Sequence, residues 1–156
     1  MDKKVIYIDL DGVLVDLVKC IHETYAHSLG DDNFDIGDIV DQHVECFYNA
    51  DPIDDAVDAF KQLSSDPRFD VYILSTAPWA NPESWMAKRV WVEKYLGEAA
   101  NRRLILTHNK QLLMGDYLID DRDNNGAAEF KGEHIKFGTD KFNTWKQVID
   151  YLTKNS

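Results

Sequence analysis

Hydrophobic and polar positions along the chain follow two periods in turn. Val5-Ile6-Tyr7-Ile8 is a short β-branched and aromatic run that reads as a buried strand. Leu14, Leu17, Val18, Ile21, Tyr25 and Leu29 then recur at helical spacing, and Gly30 is placed to end that helix. Residues 31 to 50 carry the acidic cluster Asp31-Asp32-Asn33 and scattered apolar positions without a clean period, which predicts a small helical insert. Asp51-Pro52 has the composition of an N-cap followed by a first helical residue. It predicts a helix with Asp54 and Asp55 near its positive end and Ile53, Val57, Phe60 and Leu63 inward.

The second half repeats the alternation. Phe69 to Leu74 reads as a strand running into Ser75-Thr76-Ala77-Pro78, and Asn81-Pro82-Glu83 opens a helix that ends at Gly97. Leu104 to Thr107 is a third strand, His108 to Met114 a short helical connection, and Tyr117-Leu118-Ile119 a fourth strand delivering Asp120-Asp121. Asn124-Asn125-Gly126 is a turn, His134 to Phe137 a fifth strand, and Thr144-x-x-Gln147 the capping box of a last helix. Strand and helix in alternation favour a doubly wound, Rossmann-like α/β fold with a parallel sheet covered on both faces.

Composition narrows this picture. At 156 residues, with 44% hydrophobic and 12% aromatic content, the chain suits a single domain over residues 1–156 with a packed core and room for a cap insert at about 17–50. A net charge of −11 and the lack of a basic stripe argue against a nucleic acid polymer, so a phosphate-bearing ligand is expected to be a small molecule. No apolar run approaches 18 residues and Asp9 and Asp11 interrupt the N-terminal one, so neither a membrane span nor a signal peptide is expected, and a cytoplasmic setting is. Cys20 and Cys46 form no Cys-x-x-Cys pair and are expected to be small buried hydrophobes, and the histidines lack a zinc-site spacing.

The candidate chemistry lies at the strand ends. Asp9 and Asp11, with only Leu10 between them, repel each other unless a cation joins them, and hard oxygen ligands point to Mg²⁺. An Asp-Gly turn is the other reading of that stretch. Thr76, Lys110 and Asp120-Asp121 also follow apolar strands, and a parallel sheet gathers such ends along one rim, where α/β proteins bind ligands.

These residues carry a resemblance. Asp9-Leu10-Asp11-Gly12-Val13, Thr76, Lys110 and Asp120-Asp121 resemble the four motifs of the haloacid-dehalogenase-like phosphatases. Within that superfamily the chain is most similar to the 5'(3')-deoxyribonucleotidases, through Ser75-Thr76-Ala77-Pro78, residues 91–97 and Leu118-Ile119-Asp120-Asp121-Arg122, outside residues 30 to 46. The resemblance implies Asp9 as a nucleophile forming an aspartyl phosphate, Asp11 as proton carrier, and Mg²⁺ held by Asp9, the Asp11 carbonyl and Asp121, with Asp120 adjacent. Thr76 and Lys110 would take the phosphoryl oxygens, and Arg122 would order the acids or guard the phosphate.

Phe47 and Tyr48 match a family aromatic position facing the nucleobase, and they also read as core residues; Trp79 carries the same two readings. The chain departs from mammalian-type enzymes at Leu17, where they have an aromatic, and at Ala80, where they have lysine. The implied activity is Mg²⁺-dependent hydrolysis of deoxyribonucleoside monophosphates. A phosphatase of another small metabolite, such as a sugar phosphate, and an inactive or phospho-accepting module are the alternatives.

Overall fold

The computed structural model describes residues 2–26 and 35–156. Five parallel strands form one sheet: β1 (Lys4–Ile8), β2 (Phe69–Ser75), β3 (Leu104–Leu106), β4 (Tyr117–Asp120) and β5 (Glu133–Lys136), in the order β3-β2-β1-β4-β5. The connections leave β1 to one side and return on its other side at β4, so the topological switch point falls between these two neighbours. Both strands deliver aspartates there.

Pleat alternation divides the sheet into two unequal faces. Ile6, Ile8, Val71, Ile73, Ile119 and Ile135 face the larger core, with α4 (Ala56–Ser65), α5 (Pro82–Leu96) and α6 (Trp145–Lys154) packed on it through Phe60, Leu63, Trp91, Val92, Trp145 and Val148. Tyr7, Leu74 and Leu118 face the other side, where Ala127 and Phe130 cover them. That side holds a 3₁₀ turn at Lys110–Leu112 and irregular chain, with no α-helix among the described residues. The expected doubly wound α/β sheet is therefore present, with the second face thinly covered.

Three short helices follow β1 among the described residues: α1 (Leu17–Tyr25), α2 (Ile36–Gln42) and α3 (Glu45–Asn49). Leu29, Gly30 and Asp31-Asp32-Asn33, expected to end the first helix and open the insert, lie outside the described residues. The Asp51-Pro52 expectation needs correction, since α4 begins at Ala56, with Asp55 as its N-cap at φ 64°. The backbone at 51–53 is committed elsewhere: Asp16 N–H donates to the Asp51 carbonyl, Ile53 N–H to the Leu14 carbonyl, and Pro52 bridges Val15. Tertiary pairing thus overrides a locally sound cap signal.

A second correction concerns the cysteines, because Cys20 of α1 and Cys46 of α3 are bonded as a disulfide with Cα atoms 5.7 Å apart. Their spacing of 26 residues carried no signal of this. Among the described residues no helix is long and apolar enough to cross a membrane.

Candidate active site

The turn after β1 is wound tightly around one carbonyl. Leu10 C=O accepts from the N–H groups of Val13, Leu14 and Val15, and the buried Trp145 indole donates to the Val13 carbonyl at 2.9 Å. Gly12 stands at φ +80°, and a Cβ there would lie 2.1 Å from Asp121 Oδ2. Glycine is therefore required twice over, for its conformation and for the close approach of the second acid pair.

Asp9 leaves the end of β1 with its N–H on the Ile119 carbonyl of β4, which sets it beside Asp120. One carboxylate oxygen each from Asp9, Asp120 and Asp121 lies within 4.8 Å of the others. Lys110, 3% exposed, enters this group with Nζ 2.5 Å from Asp120 and 3.4 Å from Asp9. Burial lowers the tendency of that ammonium to stay charged, but Asp9 and Asp120 outweigh it and hold its pKa above the ordinary lysine value.

The acids are under-compensated. Burial, with help from Asp120 and Asp11 and opposed by Lys110, pushes the Asp9 carboxyl up to about 7. Burial and Asp120 push Asp121 up to about 6. Asp121 Oδ1 is buried with no hydrogen-bond partner. Three converging carboxylates, one with an orphaned buried oxygen, fit a hard divalent cation that prefers oxygen ligands.

Asp11 points to a different partner. Its Oδ2 lies 2.6 Å from Nζ of Lys88, a side chain of α5 that is 2% exposed. That ammonium also donates to Ser75 Oγ at 3.2 Å and sits 5.2 Å from the Phe47 ring centroid. Sequence reasoning missed Lys88. A signal existed, since Ser84, Lys88, Trp91 and Val92 share one buried helical stripe, and a lysine inside such a stripe implies a buried anion.

The remaining expected residues divide. Thr76 donates to the Thr107 carbonyl at 2.7 Å, pinning the end of β2 to the chain beyond β3. Asp9, Asp11, Thr76, Lys110, Asp120, Asp121 and Arg122 line one cleft of about 390 Å³, and Leu17, Ile36, Val40 and Phe47 line it from α1, α2 and α3. Arg122 is exposed there, and its backbone N–H donates to Asp120 Oδ1 at 3.0 Å. Tyr48 lies outside that lining, with its hydroxyl donating to Glu83 at 3.2 Å on the α5 side.

A parallel sheet whose switch point carries Asp-x-Asp-Gly, a second acid pair, a threonine and a buried lysine defines a haloacid-dehalogenase-like hydrolase. Solved structures agree on the fold. A haloacid-dehalogenase-like family hydrolase of Streptococcus pneumoniae superposes with a TM-score of 0.58 at 15% identity, over 96% of this chain and 90% of that one. A HAD-hydrolase of Bacillus subtilis, provisionally so named and solved with magnesium, gives 0.59 at 10% identity, over 97% and 99%.

Sequence comparison goes further. Residues 38–149 match the family model described as 5' nucleotidase, deoxy (pyrimidine), cytosolic type C protein. A protein of Vibrio phage KVP40, provisionally named a 5'(3')-deoxyribonucleotidase, is 50% identical over 99% of this chain and 88% of its own length. The human cytosolic-type 5'(3')-deoxyribonucleotidase is 36% identical over 58% of this chain and 46% of its own. The chain belongs to this deoxyribonucleotidase family of phosphatases.

Proposed function

We propose that the chain is a Mg²⁺-dependent phosphomonoesterase that dephosphorylates deoxyribonucleoside monophosphates, with Asp9 as nucleophile and Asp11 as acid and base. The observation that carries this reading is the division of labour between two buried lysines: Lys110 stands among the acids of Asp9 and Asp120, and Lys88 holds Asp11 apart from them.

In the first displacement an Asp9 oxygen bonds to phosphorus as the phosphorus–oxygen bond to the nucleoside breaks, and Asp11 gives a proton to the departing oxygen. In the second, water attacks phosphorus, Asp11 takes its proton, and the bond to Asp9 breaks to release inorganic phosphate. Lys110 holds the phosphoryl oxygens, the Thr76 hydroxyl joins it by turning its proton from the Thr107 carbonyl, and Lys88 positions Asp11. Mg²⁺ held by Asp9, Asp121 and the Asp11 carbonyl, with Asp120 adjacent, would supply charge neutralisation between the nucleophile and its anionic substrate.

Residues 17–50 serve as the cap in this reading, with Leu17, Val40 and Phe47 as an apolar roof that excludes water. The names of the relatives support the nucleotide as substrate. The reading retains the cytoplasmic setting, where Cys20–Cys46 would be exposed to reduction.

Phosphate release from deoxyribonucleotides, ribonucleotides and sugar phosphates, with Mg²⁺ and with EDTA, tests the proposal. Deoxyribonucleotides should lead in kcat/KM, and chelation should abolish turnover. A leading sugar phosphate would overturn the substrate, and turnover indifferent to EDTA would overturn the site.

A further inference from the structure

A nucleobase needs an accessible ring to stack on, and Phe47 offers little of one. It is 4% exposed and already holds the Lys88 ammonium near its ring. Trp79 is the opposite case, at 78% exposed.

This indole is part of a built cluster. It meets Trp85 edge-on at 6.2 Å and 76°, and His108 edge-on at 5.8 Å and 77°, while Trp85 and His108 lie 5.8 Å apart at 34°. Trp85 Nε1 donates to the Pro78 carbonyl at 3.3 Å, and Asn81 N–H donates to the same carbonyl at 3.2 Å, which fixes the loop that carries Trp79. Edge-on packing against two neighbours holds the indole in place without covering it.

The cluster also grows out of the residues that hold the phosphate. Trp79 stands three positions after Thr76, and His108 two before Lys110. The two segments are joined by Thr107 N–H on the Ser75 carbonyl at 2.9 Å, a backbone bond that a phosphate on Thr76 leaves intact. Pro78 and His108 line the same cleft as the acids. A flat ring attached to a phosphate seated on Thr76 and Lys110 would reach this cluster by way of His108, with Trp79 and Trp85 standing just outside the cleft lining.

We propose that Trp79, buttressed by Trp85 and His108, is the platform on which the substrate's nucleobase stacks, a role that rests on the nucleotide reading above. Stacking on an indole face engages any base through its π-surface, so the platform binds purine and pyrimidine nucleotides alike. Selection against base-free phosphate esters follows from the same contact.

The test compares wild type, Trp79→Ala, Trp79→Phe and His108→Ala on deoxyribonucleoside 5'-monophosphates and on deoxyribose 5-phosphate, which keeps the sugar and phosphate and lacks the base. Met86→Ala, a half-exposed apolar side chain of α5 outside the cluster, is the control. Trp79→Ala should raise KM for nucleotides about tenfold with kcat within about twofold, Trp79→Phe should recover part of it, and the effect should be confined to base-bearing substrates. Nucleotide quenching of tryptophan fluorescence should fall in Trp79→Ala, with Trp85 left as the remaining indole of the cluster. The exposed position predicts normal folding, checked by circular dichroism. A Trp79→Ala enzyme with unaltered nucleotide KM, or with equal loss on deoxyribose 5-phosphate, overturns the platform alone. A wild type that handles deoxyribose 5-phosphate as well as nucleotides overturns the nucleotide reading and the platform together.

Discussion

Asp9 follows β1 directly and Asp120 closes the neighbouring β4, whereas Leu17, Val40 and Phe47, on the other wall of the same cleft, stand on helices of nine, seven and five residues. The first wall inherits its geometry from the β1–β4 ladder, where Ile8 is in register with Ile119. The second has no such ladder, and helices shorter than about 12 residues are marginal on their own in water. It packs into the main core through Leu17, Ile21, Ile39 and Phe47, and discrete ties add to that packing. They are the Cys20–Cys46 bond, the Tyr25 hydroxyl on Glu45, and Asn81 Nδ2 on the Val40 and His43 carbonyls at 2.9 and 3.1 Å. The acids thus rest on a hydrogen-bonded ladder, and the helical wall on side-chain packing and ties.

This contrast makes the rim the place where substitutions act on kcat. Asp9→Asn should lower turnover by at least about 10³-fold, measured as phosphate release, because it removes the carboxylate that the proposed mechanism uses to attack phosphorus. The metal-free variant should melt no lower than wild type at neutral pH, since it loses a buried carboxyl that resists ionising. A variant within about tenfold of wild-type turnover would break the assignment of the rim.

Lys88→Met should come next, at about 10² in kcat on nucleoside esters, because Asp11 loses the group that positions it. The loss should shrink on nitrophenyl phosphate, whose leaving group needs little protonation. Equal losses on both esters would make Lys88 a packing residue.

The third expectation concerns pH and metal. Asp9 is held at about 7 and Asp121 at about 6 in the fold, against an ordinary 3.8, so between about pH 4 and pH 7 the folded chain retains protons that the unfolded chain has lost. Stability of the metal-free protein should therefore fall as pH rises through that window. A cation bound by these carboxylates removes the penalty, so the gain in Tm on adding Mg²⁺ should be larger at pH 7.5 than at pH 5. A gain that is equal at both values would detach the metal from these acids.

The smallest catalytic effect should come from the helical wall. Reducing Cys20–Cys46, or replacing Cys20 by serine, should cost at most about 3.5 kcal/mol by loop-closure entropy, read as a lower Tm. It should shift nucleotide KM a few-fold while leaving kcat near wild type. A fall in kcat comparable to that of Lys88→Met would erase the distinction between the two walls.

The sequence by itself determined the five strands, their alternation with helices, and the positions at which Asp9, Asp11, Thr76, Lys110, Asp120 and Asp121 leave them. Strand periodicity is local, and a parallel sheet converts a position at a strand's end into a position on a shared rim. The capping box at Thr144 and Gln147 was legible for the same reason, because both partners lie within one helical turn. Tertiary structure decided what depends on partners far along the chain. Asp51-Pro52 carries good cap chemistry, yet its backbone pairs with residues 14–16, and the helix waits until Ala56. Cys20 finds Cys46 across 26 residues, and Lys88 finds Asp11 across 77. Tyr48 turns to Glu83 while its neighbour Phe47 enters the cleft, because adjacent helical residues point about 100° apart and only one of them can face it. Local periodicity fixes which face a residue presents within its own element, and only the packing of elements fixes what that face meets.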